Sequence, residues 1–468
     1  MRPELSSRVA RLIRALASNV YSLGVRILLQ FVTLPLFLHF WSARQFGEWI
    51  LLSSFSTYFA LSGLGIGSAG GNLIAMNAAS GDLATARGVW QTTRVIVTIS
   101  NVALVALVWF GANRFDVAGI LGLTTISADG ARNVIIASAV LIAVRLQMGV
   151  AESAFRAWGG YPEFAFIENT VQIIEVVAQV AVLLLGGYFL GAIVCCIVVR
   201  LVVLVGLAIH VQRRAPWLLI RDGAPIGPVA ARLLRPALGF LMLPFAQAME
   251  LQGFALLVGG GFGPAGLSAF TAMRTLARTV LMILGLFFNI LQPEVSYAVE
   301  KDNNNSKIKQ LFFLSSTASI LVGLGASIFL IYAGPSIFRV WTGSKVVFDS
   351  GVFHMILLCG VLRAVSMPPA AVLLGLNRHG LLVGVTILGS AAALVVGWVF
   401  VETTHNMVAV AGASIVIELA LIAYCVSAML RLLHLTAGQY VLGLLDTREA
   451  WSYAVKILRR TRRSRTDT

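Results

Sequence analysis

Between residues 19 and 430 the chain passes through about twelve apolar stretches, each near the ~20 residues that an α-helix needs to cross a hydrocarbon core. Nothing else in the sequence constrains the fold as tightly. A backbone in lipid meets no water, so each segment must satisfy its own N–H and C=O groups, which a helix does. The sequence therefore predicts an all-α polytopic membrane protein. Its spans are expected at 19–40, 46–66, 92–112, 133–155, 164–186, 188–210, 233–258, 264–291, 310–333, 352–376, 380–401 and 407–430.

Composition agrees with this reading. Of the 468 residues, 58% are hydrophobic and 12% charged, which excludes a soluble multidomain protein. The net charge of +15 lies between and beside the spans, not along one stripe of a soluble domain, so no nucleic-acid partner is expected. Connections on one side hold Arg2, Arg8, Arg11, Arg14, Arg87, Arg156, Arg213, Arg214, Arg221, Arg232, Arg235, Lys301, Lys307, Lys309 and Arg378, whereas the other side holds only Arg44, Arg114, Arg132, Arg339 and Lys345. Short basic loops resist translocation, so both termini are expected to be cytoplasmic and the number of spans even.

The expected organisation is a cytoplasmic N-terminal segment (1–18), a six-helix bundle (19–210), a cytoplasmic linker (211–232) rich in basic residues and prolines, a second six-helix bundle (233–430) and a basic cytoplasmic tail (431–468). The tail carries Lys456, Arg459, Arg460, Arg462, Arg463 and Arg465 and reads as a membrane-surface segment. A shift of roughly 220 positions lays each span of the first bundle on one of the second, Arg145 on Arg363 and Arg200 on Glu418, as in a parallel repeat around a central cavity.

Seven arginines lie within the spans: Arg26, Arg94, Arg145, Arg200, Arg274, Arg278 and Arg363. A guanidinium in hydrocarbon costs at least ~2.5 kcal/mol even on lenient scales, so each needs a partner, a wet cavity or an anion. No catalytic chemistry accompanies them. The six histidines are scattered, no HExxH or GxSxG occurs, and GGGFG at 259–263 reads as an outer turn rather than a phosphate loop. Cys195, Cys196, Cys359 and Cys425 lie in apolar runs and give no disulfide framework or metal motif. No enzyme activity, metal or cofactor is expected.

The stretch LLQFVTLPLFLHFWSARQFGEWILLSSFSTYFALSGLGIGSAGGNLIAMNAASGDLATAR from Leu28 carries Phe46-Gly47-Glu48-Trp49 at the start of the second span, Gly63, Gly65 and Gly67 at its end, and Gly81, Asp82 and Arg87 in the loop. It resembles the amino-terminal signature of Wzx-type polysaccharide and oligosaccharide flippases of the multidrug/oligosaccharidyl-lipid/polysaccharide exporter superfamily, with Ser62 where an acid is common. FGPAGLSAFTAMRTLARTVLMILGLFFNILQPEVS and GLNRHG (375–380) resemble that family's eighth span and its turn between the tenth and eleventh. The resemblance implies a transporter that moves an undecaprenyl-diphosphate-linked oligosaccharide from the inner to the outer leaflet of the bacterial cytoplasmic membrane by alternating access. It also implies membrane lipids, a polysaccharide polymerase and export machinery as partners.

Such a cargo requires a cationic site for its diphosphate, and an arginine fork holds phosphate oxygens while staying charged in a low dielectric. Arg274 and Arg278, spaced i,i+4 on one helix face, are the first candidates for diphosphate contact, with Arg26 as a third. The alternative for this pair is ion pairing, since Glu250 on the seventh span could reach Arg274, though it sits nearer the outer boundary. Arg145, Glu175 and Arg200 lie level on adjacent spans, as do Arg363 and Glu418, and read as helix-pairing charges. The same pairs admit proton or sodium coupling as a second role. Arg94 reads as an interfacial residue. Two alternatives remain open: a cation-coupled multidrug exporter, whose cavity would favour acids, and a membrane oligosaccharide polymerase, which would carry a large outer loop.

Overall fold

The computed structural model describes residues 2–220, 226–302, 305–376, 378 and 380–445. Among them are α1 (Arg2–Phe40), α2 (Ala43–Ala79), α3 (Leu83–Arg114), α4 (Val117–Ile120), α5 (Ala128–Ala157), α6 (Tyr161–Leu184) and α7 (Phe189–Arg214), then a 3₁₀ turn, η1 (Pro216–Leu219). The chain continues through α8 (Ile226–Asp302), α9 (Asn305–Thr342), α10 (Ser350–Gly375), α11 (Gly380–Thr404), α12 (Met407–Gly412), α13 (Ile415–Leu432) and α14 (Ala437–Leu445). The described residues include no strand.

Among the described residues, eleven helical segments are long and apolar enough to cross a membrane. One of them, Leu241–Gly285, breaks at Gly263 (φ 72°, ψ 176°), a backbone conformation that side-chain-bearing residues rarely adopt. Each side of the break keeps about 22 residues, or ~33 Å of helix, so this segment supplies two crossings. Among the described residues there is thus helix enough for twelve crossings, with α12 and α13 together long enough for the last, and the protein is an all-α multi-pass membrane protein. The sequence placed a turn over 259–263, whereas helix continues through Phe262 and Gly263 alone leaves it.

Several helices outrun their hydrophobic spans. The expected second span ended at Ile66, but α2 continues to Ala79. Small residues explain why it can. A Cβ on Gly63 would meet the Leu146 side chain at 2.8 Å, one on Gly65 would run into the Ala237 backbone, and one on Gly70 into Thr93. The glycines are the surface against which α3, α5 and α8 pack. The turn that follows uses Gly81 at φ 84° and Asp82, whose carboxylate accepts from the Thr85 amide at 3.0 Å to cap α3. Gly47 in the Phe46-Gly47-Glu48-Trp49 motif is also sterically required, since a Cβ there would strike the Pro264 backbone.

The helices cluster into two compact units. The first takes the residues up to Ala248 with Gly263–Ser268, and the second takes Met249–Phe262 with the described residues from Ala269 onward. Within the first, α5 packs on α2, α3 and α7, and α6 joins α7 and α1. The α1–α6 seam is polar: the Ser18 hydroxyl donates to the Pro162 carbonyl (3.1 Å), Tyr21 and Thr170 share a hydrogen bond (3.0 Å), and the Asn169 amide donates to Ser22 (2.8 Å). In lipid such bonds hold helices together without help from a hydrophobic effect. Within the second unit α9 packs on α10, α10 on α13 and α13 on α11, the order in which α3, α5, α7 and α6 pair in the first. The same order of helix pairings thus recurs in the two units.

Residues 211–232, expected as a linker, comprise the end of α7, η1 and the start of α8, and residues 221–225 lie outside the described residues. At the other end α14 docks on α9. Tyr440 is buried against Phe312 (ring centroids 5.9 Å apart), and the Thr317 hydroxyl donates to the Leu444 carbonyl at 3.0 Å. The basic run of the tail from Lys456 to Arg465 lies outside the described residues. All four cysteines are free: Cys196, Cys359 and Cys425 are buried packing thiols, and Cys195 is half-buried.

Candidate functional site

In the first unit Arg145 on α5, Glu168 and Glu175 on α6, and Arg200 on α7 meet. The two glutamates are seven residues apart, two helical turns, so α6 presents both on one face. Arg200 is 2% exposed. It donates from Nε and Nη2 to Glu175 at 2.7 and 2.9 Å, from Nη1 and Nη2 to Glu168 at 3.2 and 3.0 Å, and from Nη1 to the Met148 sulfur at 3.2 Å. Those contacts use all five guanidinium N–H groups. Arg145 adds Nη2 to both oxygens of Glu175 at 3.2 Å, with 42% of its side chain exposed. Two positive and two negative charges close on one another, so the cluster carries no net charge.

In the second unit Arg363 on α10 is the hub. Its Nε donates to both oxygens of Glu418 on α13 at 2.8 and 2.7 Å, and its Nη2 to both oxygens of Glu250 on α8 at 3.1 and 3.3 Å. One turn away on the same pair of helices, Cys359 and Ser414 are in contact at 3.2 Å. Glu250, which on the sequence alone could reach Arg274, is bonded to Arg363. Glu250 lies about 13 residues before the break at Gly263, Arg274 about 11 after it, and Arg363 about 13 into α10, so all three stand at similar depth. Length along the helices does not choose between the two arginines; lateral packing does.

Arg274 and Arg278 are left without a carboxylate partner among the described residues. The Arg274 Nη1 donates to the Leu251 carbonyl at 2.9 Å, and its guanidinium lies 5.2 Å from the Phe270 ring centre. Arg278, one turn on, is exposed and makes no hydrogen bond or ion pair among the described residues. Both glutamates of this unit's cluster are already held by Arg363, so the five groups, three arginines and two glutamates, carry a net positive charge. The contrast with the closed cluster of the first unit is the main electrostatic feature of the chain.

Arg26 is exposed on α1, with Nε donating to the Ser22 carbonyl at 3.3 Å and the rest of its fork unbonded among the described residues. Arg94 is exposed and lies 5.2 Å from the Trp90 ring centre. Two polar features carry weight that the sequence did not reveal. Glu48 is fully buried and accepts from the Thr124 amide (2.7 Å), the Thr125 amide (2.9 Å) and both threonine hydroxyls, pinning the loop before α5 to α2. Arg156 bonds Glu152 (2.6 Å) and Asn72 (3.0 Å) and lies 4.8 Å from the Tyr161 ring centre. An acid beside a motif glycine was the one available signal for Glu48. Among the described residues no His, Cys, Asp and Glu cluster could hold a metal ion.

No family model matches the chain, and no curated protein sequence matches it. Solved structures do. An inward-facing multidrug resistance MATE family transporter of the MOP superfamily superposes with a TM-score of 0.69 at 14% identity, covering 86% of this chain and 97% of that one. The lipid II flippase MurJ in an inward closed conformation gives 0.66 at 11% identity over 93% of this chain and 90% of its own. A MOP superfamily transporter from Pyrococcus furiosus, described as having a binding pocket of reverse polarity that suggests a different function, gives 0.60 at 13% identity over 90% and 94%. At these identities the likeness establishes a shared fold.

Proposed function

We propose that the protein is a flippase that carries an undecaprenyl-diphosphate-linked oligosaccharide from the inner to the outer leaflet of the bacterial cytoplasmic membrane by alternating access. The observation that carries this reading is the uncompensated pair Arg274 and Arg278. Two cations one turn apart in a membrane helix, with the nearby carboxylates engaged by Arg363, form a standing site for an anion. A lipid diphosphate supplies that anion and keeps its tail in the bilayer. Arg26, with two guanidinium nitrogens uncommitted, is the third candidate for phosphate contact.

The fold is shared by a multidrug transporter and a lipid-linked-precursor flippase alike, so the choice between those cargoes rests on charge. A site for cationic drugs would present free carboxylates. Here Glu175, Glu250 and Glu418 are each bonded to arginine, as is Glu168. In this proposal Arg145, Glu175, Arg200, Glu250, Arg363 and Glu418 fix helix register and do not relay ions, because Arg200 has no donor left and each glutamate is held by a guanidinium. Surface polysaccharide assembly, with a polymerase and export machinery downstream and both termini cytoplasmic, is the setting this cargo implies.

The test is delivery of lipid-linked glycan to the outer leaflet in cells expressing Arg274→Ala or Arg278→Ala, with membrane abundance measured alongside. Each is expected to lose delivery while its abundance stays normal. Normal delivery in both variants removes the diphosphate site, and drug efflux abolished by the same changes would favour the exporter.

A further inference from the structure

At one end of the first unit the short apolar turn η1 packs against both α3, which carries Arg94, and α7, which ends in Arg213 and Arg214. Gln91 on α3 donates from its side-chain amide to the Leu218 carbonyl (3.3 Å) and the Ile220 carbonyl (2.6 Å), which clamps η1 to the helix. Leu218 is fully buried and Trp217 packs on the same core, so η1 is a fixed element. Its neighbours Leu219 and Ile220 stay 38% and 51% exposed. Arg213 and Arg214, both exposed, end α7 just before this turn, and exposed Arg94 stands one turn along α3 from Gln91.

The level of these groups is set by helix length. α3 has 32 residues, ~48 Å, against a hydrocarbon core of ~30 Å, so its first turns project beyond the core. With the apolar span beginning near Thr92, Gln91 and the clamped turn sit at the headgroup level and Arg94 at the hydrocarbon boundary. Arg213 and Arg214 also complement the carbonyl end of α7, but that accounts neither for Arg94 nor for apolar side chains left exposed beside them. Glu163 of α6 faces His210 at 3.7 Å, and none of the three arginines makes an ion pair among the described residues.

We propose that Arg94, Arg213 and Arg214, with Leu219 and Ile220, form a binding site for the phosphate headgroup of an anionic phospholipid, separate from the cargo site. The guanidinium forks take the phosphate oxygens, and Leu219 and Ile220 lie against the first carbons of the acyl chains. A free phosphate ion would use only the first of these contacts. The site gives this unit a fixed depth and rotation against one leaflet.

The test is retention of phosphatidylglycerol, relative to phosphatidylcholine, by the purified full chain in native mass spectrometry. Wild type is expected to keep phosphatidylglycerol, Arg94→Gln to lose several-fold, and the triple Arg94→Gln, Arg213→Gln, Arg214→Gln variant to lose at least about tenfold, with each surface cation contributing. A control pair at the opposite helix ends, Arg44→Gln with Arg114→Gln, is expected to retain the lipid as wild type does. Leu219→Ser with Ile220→Ser, which keeps every charge, is expected to lower retention as well. Retention unchanged in Arg94→Gln and in the triple variant overturns the site, as does an equal loss in the control pair. Displacement of the lipid by millimolar inorganic phosphate would reassign it as a free-phosphate site.

Discussion

Replacing Glu175 by Leu removes the carboxylate that two arginines share. Arg200 loses bonds of 2.7 and 2.9 Å and Arg145 loses both of its 3.2 Å bonds, while Arg200 keeps Glu168. Breaking a buried ion pair from one side costs ~3–5 kcal/mol, because the charge left behind stays desolvated. The Arg145 share is discounted, since 42% of its side chain is exposed and can be rehydrated or reach the interface. The expected loss is therefore ~3–5 kcal/mol, two to four powers of ten in the unfolding equilibrium, nearly all from Arg200. Replacing Glu175 and Arg200 together by Leu removes both buried charges and leaves Glu168, 27% exposed, and Arg145 to solvate themselves. The double variant is thus expected to be more stable than Glu175→Leu alone, with a coupling of ~2–3 kcal/mol. Reversible unfolding in bilayer discs, followed by trapping of the unfolded state, measures both variants and Arg200→Leu, the remaining corner of the cycle. Strictly additive losses, or a single-variant loss below ~1 kcal/mol, would refute the closed-cluster account. Glu175→Gln separates the two roles of the acid: a variant that folds normally and no longer transports would make Glu175 a coupling residue.

Two further outcomes follow from packing. Gly65→Ala is expected to reduce folded yield sharply and Gly67→Ala to have little effect, because a Cβ at 65 meets the Ala237 backbone and one at 67 meets nothing; protease resistance of the membrane-inserted protein reads the difference. Glu48→Ala leaves the Thr124 and Thr125 amides without an acceptor and is expected to destabilise the protein by ~2–4 kcal/mol, faster hydrogen exchange at those amides being the direct signature. Normal exchange there in the variant would show that water replaces the carboxylate at no cost.

Which parts of this molecule are legible without coordinates follows from range. Span positions depend on the apolar length of a local window, and the lipid leaves helix as the solution for each window, so the crossings appear where hydropathy placed them. Helix ends depend on less local matters. The extension of α2 to Ala79 rests on a glycine face whose partners, Leu146, Thr93 and Ala237, are distant in sequence. Likewise the single-residue break at Gly263 replaced a five-residue turn because only one residue needed a positive φ.

The charged residues divide in the same way. Composition and position alone determined that seven arginines stand within apolar spans, that each needs a partner, a wet cavity or an anion, and that Arg145, Glu175 and Arg200 lie at comparable depth. Depth is a count of residues along a helix, so the sequence contains it. Which of two level arginines Glu250 bonds is a matter of rotation and lateral packing, and only the tertiary structure decided for Arg363. That choice leaves Arg274 and Arg278 without an ion-paired carboxylate among the described residues, because the two glutamates of this cluster are bonded to Arg363 and two negative charges cannot balance three arginines.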